Sequence, residues 1–306
     1  MTATFGLGLA ALGRPGYMTL GHHHDITDAS EAGMRAAAFE TLDEAWRLGV
    51  RHFDTARSYG LAESFLVSWL TARGHRDAFV SSKWGYRYTA NWQRVAEVHE
   101  VKDHSLAHLE TQLAESRALL GLSLRLYQIH SVTPDSPALT DEPLLRRLAQ
   151  LRDQGLAMGV SVSGPRQAEL IERVIAVRRG GAPLFTWVQA TWNLLERSAG
   201  PALRAAKQEG FSVIIKEALA NGRLSPRGDV QALLAEATAR RTTADALALA
   251  IARAQPFADV VLSGATTKLQ VHENLAALPT VRAEDLAELA RPPETYWRER
   301  AGLRWS

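Results

Sequence analysis

Asp54, Tyr59, Lys83 and His130 stand out because each closes, or closely follows, a short apolar run, in the segments HFD, ARSYG, VSSKWG and LYQIHS. A phenol has an ordinary pKa of about 10 and is a poor proton donor at neutral pH until a neighbouring cation stabilises its phenolate. Lys83 offers such a cation. Asp54 would hold the ammonium charged and aimed, and His130 would hydrogen-bond a substrate oxygen and orient it against the phenol. A site of this composition protonates a carbonyl oxygen as negative charge develops on it. Taken singly, a residue of any of these types at a strand end is more often a satisfied structural or surface group. The conjunction is what points to chemistry.

Such chemistry needs the four side chains at one edge of a scaffold. Short β-prone runs occur at Phe5–Ala10, His52–Ala56, Ala78–Trp84, Arg125–His130, Ala157–Val162, Thr186–Thr191, Phe211–Lys216 and Val260–Ser263. Between and after them lie amphipathic stretches at about Met34–Leu48, Leu61–Ala72, Lys102–Leu120, Glu142–Gln154, Arg166–Arg178, Ala199–Gln208, Asp229–Ala254 and Lys268–Leu275. Gly49, Gly74, Gly121, Gly155 and Gly210 each stand after a helical stretch and before a strand, where a left-handed residue ends a helix. Eight alternating units, strands apolar enough to be covered on both faces and no composition break predict a single (β/α)8 TIM barrel over residues 1–306, with a short C-terminal tail. A doubly wound sheet is disfavoured because Gly6, Gly8 and Gly13 do not fit G-x-G-x-x-G. In a parallel barrel, chemistry gathers at the C-terminal strand ends, which would bring the four residues to one mouth.

The 306 residues are 46% hydrophobic and 22% charged, an ordinary globular composition. With 35 Lys and Arg against 33 Asp and Glu the net charge is +2, and arginine pairs are interleaved with acids, so nucleic acid is not an expected partner. The lack of Cys excludes disulfides, thiolate metal sites, Fe–S clusters and a Cys nucleophile. The N-terminal MTATFGLGLAALG has no basic segment, and no stretch approaches the roughly 20 apolar residues of a membrane span, which predicts a cytoplasmic protein without a membrane partner. His22-His23-His24-Asp25 places three imidazoles beside a carboxylate. Consecutive side chains do not converge tetrahedrally, so a loop over the barrel mouth is expected there rather than a metal site.

HFDTARSYGLAE, VSSKWG, LYQIHS, QATWNLL and SGATTKLQVHENLAAL, in this order, resemble the aldo-keto reductase family over nearly the whole chain. The resemblance implies a barrel that binds NADPH, less often NADH, and passes the nicotinamide hydride to an aldehyde or ketone, or removes one from the corresponding alcohol. Tyr59 would be the general acid, tuned by Lys83 and Asp54, with His130 helping to bind the carbonyl oxygen. By the same resemblance Ser161 and Gln189 would hold the nicotinamide carboxamide. Leu219 through Arg223, Gly222 among them, would run along the pyrophosphate. Gly264 to Asn274, with Thr267, Lys268 and Gln270, would take the adenosine end. The last two barrel loops also suit phosphate on general grounds, because backbone N–H groups converge there, although turn formation accounts for their glycines equally well.

The sequence departs from the family pattern in places. Val162 stands where many members have Asn beside the carboxamide-binding Ser. Lys216-Glu217-Ala218-Leu219 stands where an aromatic stacked on the nicotinamide is often followed by Ser-Pro-Leu. Lys216 cannot stack; it is left to pair with a carboxylate, to reach the cofactor phosphate or to alter the nicotinamide face. Gly264 and Gln270 occupy positions where NADPH-selective relatives often carry Lys and Arg. Compensation by Lys268, Arg223 or Thr267 is expected, and with it NADPH over NADH. Trp84 and Trp192, with Tyr86, Tyr88 and Trp92, are expected to wall an apolar substrate pocket, which the short tail after Arg298-Glu299-Arg300 leaves open if no other loop closes it. Two other readings stay open: a Schiff-base lyase using Lys83 or Lys216, which leaves Tyr59 and Asp54 without a role, and a nucleotide-binding regulatory barrel with little turnover.

Overall fold

Strand and helix alternate as the apolar runs require. In the computed structural model, which describes residues 2–275 and 279–305, eight parallel strands close into a barrel: β1 (Thr4–Gly8), β2 (His52–Asp54), β3 (Phe79–Trp84), β4 (Leu124–Val132), β5 (Ala157–Val162), β6 (Trp187–Thr191), β7 (Ser212–Lys216) and β8 (Val260–Ser263). Each falls on one of the runs read from sequence, and neighbours in the barrel follow chain order, with β8 closing on β1. The outer layer comprises α1 (Glu31–Arg47), α2 (Ala62–Arg73), α3 (Leu106–Leu120), α4 (Glu142–Asp153), α5 (Gln167–Ala176), α6 (Gly200–Gln208), α7 (Ala244–Arg253) and α8 (Lys268–Leu275). No described helix is long and apolar enough to cross a membrane.

Several boundaries differ from the sequence reading, each for a local reason. The stretch Asp229–Ala254 is two helices, Gln231–Ala239 and α7, because Arg241 turns left-handed at φ 54° and Thr243 caps α7 by accepting from the Ala246 N–H. Helix α3 begins at Leu106 rather than Lys102: Ser105 caps it, and Glu100–Lys102 pairs instead with Tyr86–Tyr88 as an antiparallel hairpin. Arg178–Arg179 leaves α5 to pair with Ala182–Pro183 around Gly180 and Gly181, both left-handed. A further helix, Pro293–Ala301, follows the barrel. His22–Asp25 forms a single helical turn where a loop was expected.

Most of the core lies between barrel and helices. Inside the barrel, Leu126, Ile214, Val260 and Leu262 form a separate apolar plug with Phe79, Ala157 and Trp187 packed against it. Gly6 is required there, because a Cβ would come within 2.7 Å of Leu262 and 3.2 Å of the His52 carbonyl. Above the plug the interior turns polar. Register sets Asp54 beside both Gly8 and Ser81, and Gln189 beside Ser161, at the level where the strands end.

Candidate active site

The four chemistry-bearing residues meet at the barrel mouth. Lys83 Nζ bonds Asp54 Oδ2, donates to the Thr55 carbonyl at 3.0 Å, and lies 3.4 Å from Tyr59 Oη. Lys83 and Asp54 are almost wholly buried, so the pair survives only because its remaining lone pairs are satisfied. Asp54 Oδ1 accepts from Ser81 Oγ at 2.7 Å, Gln189 Nε2 at 3.1 Å and Gln128 Nε2 at 3.3 Å. His130 Nε2 lies 3.3 Å from Tyr59 Oη, and Ser58 Oγ lies 3.5 Å from Nδ1. The tautomer in which Nδ1 accepts from Ser58 leaves Nε2–H free to donate.

Burial, reinforced by the charges of Asp54 and Glu100, pushes the Tyr59 phenol well above its ordinary pKa of 10.0. Tyr59 is therefore a reservoir for one proton, not a resident phenolate. Burial, together with the Lys83 and Lys216 charges, holds His130 well below its ordinary value of 6.5, so its ring is neutral. Burial likewise brings the Lys216 ammonium down to about 8.

A cavity of about 590 Å³ runs from Tyr59, Tyr86 and His130 past Gln189 and Lys216 to Gly264, Gln270 and Asn274. Its walls carry backbone strain of the kind that accumulates at working sites: Ser131, Glu217 and Asn221 all sit at positive φ, at 49°, 52° and 58°. Gly13 supports Tyr59 from behind, since a Cβ there would stand 2.2 Å from the Tyr59 carbonyl. Arg14 is buried beneath the mouth, bonded to the Ser58 carbonyl at 3.0 Å and Glu100 at 2.8 Å, with its guanidinium over the rings of Tyr17, Tyr59 and Trp305.

The helix Pro293–Ala301 docks on the strand ends through Asn193 Nδ2, which donates to Tyr296 Oη at 3.0 Å, and through Arg300, whose Nε donates to Glu217 at 2.8 Å. Arg300 and Trp305 thereby line the cavity, so the segment after the barrel contributes to its wall. Burial alone would raise the Glu217 carboxyl, but the Arg300 guanidinium outweighs it and holds it below the ordinary 4.5. A depressed carboxylate contributes stability that is complete above its unfolded pKa and is lost as pH falls through the folded one. Arg300→Met should accordingly cost about 3 kcal/mol at neutral pH by stranding a buried carboxylate, with the difference from the parent shrinking as Glu217 protonates in acid. Urea midpoints for the two proteins at neutral and acidic pH check both points.

The other residues singled out from sequence divide. Gln189, Lys216, Leu219, Gly222, Gly264, Gln270 and Asn274 line the cavity. Ser161 lies just behind, its hydroxyl accepting from Lys216 Nζ at 3.0 Å. Trp84 and Trp192 do not line it: Trp84 packs on His104, and Trp192 on Phe257 beneath Arg197. Lys268 is 69% exposed and points to Glu40, while Arg223 bonds Glu299. Thr267 is engaged in holding the first turn of α8, accepting from the Gln270 N–H. Arg14, Tyr17, Glu100, Arg300 and Trp305 were not read from sequence as cavity residues.

Fold and site together define a (β/α)8 barrel with a phenol, an ammonium and a neutral imidazole converging at its mouth. The chain matches the aldo/keto reductase family over residues 15–291. Protein tas of Escherichia coli K12 is 25% identical over 328 aligned positions, covering 87% of this chain and 92% of that one. An aryl-alcohol dehydrogenase (NADP(+)) of Phanerodontia chrysosporium is 24% identical over 169 positions, covering 53% of this chain and 43% of that one. Among solved structures, the holo form of an aldo-keto reductase from Bacillus halodurans superposes with a TM-score of 0.69 at 22% identity, covering 95% and 93% of the two chains. The glycerol dehydrogenase of Gluconobacter oxydans does so at 0.66 and 22%, covering 92% and 88%. The chain belongs to the aldo-keto reductase family, and it is an oxidoreductase acting on carbonyl or alcohol groups.

Proposed function

We propose that this chain, folded as one barrel domain, is a NAD(P)H-dependent reductase of small aldehydes or ketones with Tyr59 as its general acid. The observation that carries the reading is Tyr59 Oη lying 3.4 Å from Lys83 Nζ and 3.3 Å from His130 Nε2 at one end of the long cavity. The residues present fit a dinucleotide: two acceptors lining the cavity, Asn221 Oδ1 and Asn274 Oδ1, are buried without a protein partner. Ser161, Gln189 and Lys216 would hold the nicotinamide end, Leu219 and Gly222 the pyrophosphate, and Gly264, Gln270 and Asn274 the adenosine end. When bound, the cofactor supplies the hydride.

The protein supplies the proton and the orientation. Tyr59, held protonated by its burial, gives up its proton only to an oxygen on which negative charge is accumulating. Lys83 takes up the phenolate charge as it forms, and Asp54 keeps Lys83 aimed. Neutral His130 donates Nε2–H to the same oxygen and fixes its approach. In the oxidative direction Tyr59 is the base that accepts the alcohol proton.

Mixing purified protein with each reduced dinucleotide and a panel of aldehydes and ketones tests the reading by nicotinamide absorbance and alcohol yield. Stoichiometric conversion is expected. Failure to bind either dinucleotide overturns it, and trapping of a borohydride-stable adduct on Lys216 would establish lyase chemistry instead. The proposed position of Lys216 carries a pH prediction. Its ammonium repels an oxidised, cationic nicotinamide, and that charge is lost as pH rises through about 8. The affinity for oxidised relative to reduced dinucleotide is therefore expected to rise across that pH. In Lys216→Met the ratio should be flat, as read by fluorescence titration.

A further inference from the structure

We infer that the adenosine end of the cavity is built for a dinucleotide lacking the 2′-phosphate, NADH rather than NADPH, and that Asp25 is the residue that discriminates. The inference rests on the proposed reductase reading and sharpens it.

Asp25 lines the cavity beside Gln270, with its side chain only 10% exposed. Gln270 is oriented by this carboxylate: its Nε2 donates to Asp25 Oδ2 at 2.8 Å, its Oε1 accepts from the Thr266 N–H at 2.9 Å, and a neutral amide brings no charge to balance a phosphate. Arg227, the guanidinium that lines this end, is committed as well. It donates to both Asp25 oxygens, at 2.7 and 2.6 Å, and to the Gly21 carbonyl at 3.2 Å. Burial works to raise the Asp25 carboxyl, but Arg227 and Gln270 hold it below its ordinary value, so the side chain is ionised at neutral pH.

The cations that would have balanced a phosphate are turned elsewhere. Lys268 extends outward to Glu40, and Arg223 is bonded to Glu299. Glu273 adds a second carboxylate to the lining, so both Asp25 and Glu273 face the charge that Arg227 brings. An arriving phosphate dianion would have to displace the Asp25–Arg227 bonds and then face a like charge. A ribose hydroxyl meets no such obstacle, because it donates to the carboxylate as the structure stands. The partnerless Asn274 Oδ1, buried at the same end, is also an acceptor and suits a hydroxyl or an amine.

Calorimetric titration of the full chain with NADH and NADPH reads the preference without requiring turnover. NADH should bind at least about tenfold tighter. In Asp25→Asn the gap should narrow, by weaker NADH binding and by stronger NADPH binding to a released Arg227. In Arg227→Gln it should widen, because the carboxylate is then unbalanced. Adenosine 5′-diphosphate against its 2′-phosphorylated counterpart repeats the comparison on the unaltered protein and decides the matter should either variant fail to fold. Equal or tighter binding of NADPH overturns the inference, as does a ratio unmoved by Asp25→Asn in a folded protein. Failure of both dinucleotides to bind overturns the reductase reading itself.

Discussion

Tyr59→Phe is expected to bind dinucleotide as the parent does and to lose turnover by about 10² to 10⁴-fold, the range a positioned general acid contributes. The change removes one hydroxyl and leaves the ring in its place over Lys83 and beside Arg14. Because the hydroxyl's two neighbours stand at 3.3 and 3.4 Å, neither hydrogen bond is strong, and the fold should lose no more than about 1 kcal/mol. Catalysis and stability thus separate in this variant. With Tyr59 pushed well above its ordinary pKa, the parent's reductive turnover should stay level through neutral pH, where the acid is fully protonated. A binding titration beside kcat distinguishes loss of the acid from loss of the site, and turnover equal to the parent's would show that another group delivers the proton.

Lys83→Met is expected to damage both. The ammonium is the partner of a buried Asp54, and removing one member of such a pair costs about 3–5 kcal/mol because the other charge is left uncompensated. Ser81, Gln128 and Gln189 still donate to Asp54, which keeps the expected loss within that range and short of unfolding. Turnover should fall with it, since a phenolate forming on Tyr59 no longer has a cation 3.4 Å away. Combined with Tyr59→Phe, the second change should add little to the catalytic loss, because both act on one proton transfer. Urea unfolding and kcat for the two single variants and the double variant check this. Multiplying losses would mean that Lys83 acts independently of Tyr59.

Much of the fold is legible in the sequence because its signals are local and repeated. Apolar runs, helical periodicity and a glycine before a strand recur through the chain, and the barrel follows from their order. The catalytic cluster is legible for the same reason: strand ends place Asp54, Lys83 and His130, and Tyr59 follows five residues after Asp54. Trp84 is misjudged because successive strand residues point to opposite faces, so with Lys83 inside the barrel Trp84 must turn outward onto His104. Lys268 opens α8 but looks away from the cavity toward Glu40. The pairs Arg14–Glu100 and Glu217–Arg300 join residues 86 and 83 positions apart, and nothing local marks them. The hairpin of Tyr86–Tyr88 with Glu100–Lys102 has strands of three residues each, too short for a periodicity to register. Pro293 and Glu294 in the first turn of its helix, with Arg298 and Arg300 in the last and Gly302 after it, are local signals that could have found the element carrying Arg300.

The most direct measurement follows a labelled hydride. Reduced dinucleotide carrying deuterium at the transferring carbon is incubated with the protein and an aldehyde, and the alcohol is analysed by mass spectrometry. The account predicts one deuterium on the former carbonyl carbon in the parent and a rate of its appearance lowered in Tyr59→Phe by the factor seen in turnover. Alcohol formed without deuterium, or product bound to the protein through Lys216, would contradict it.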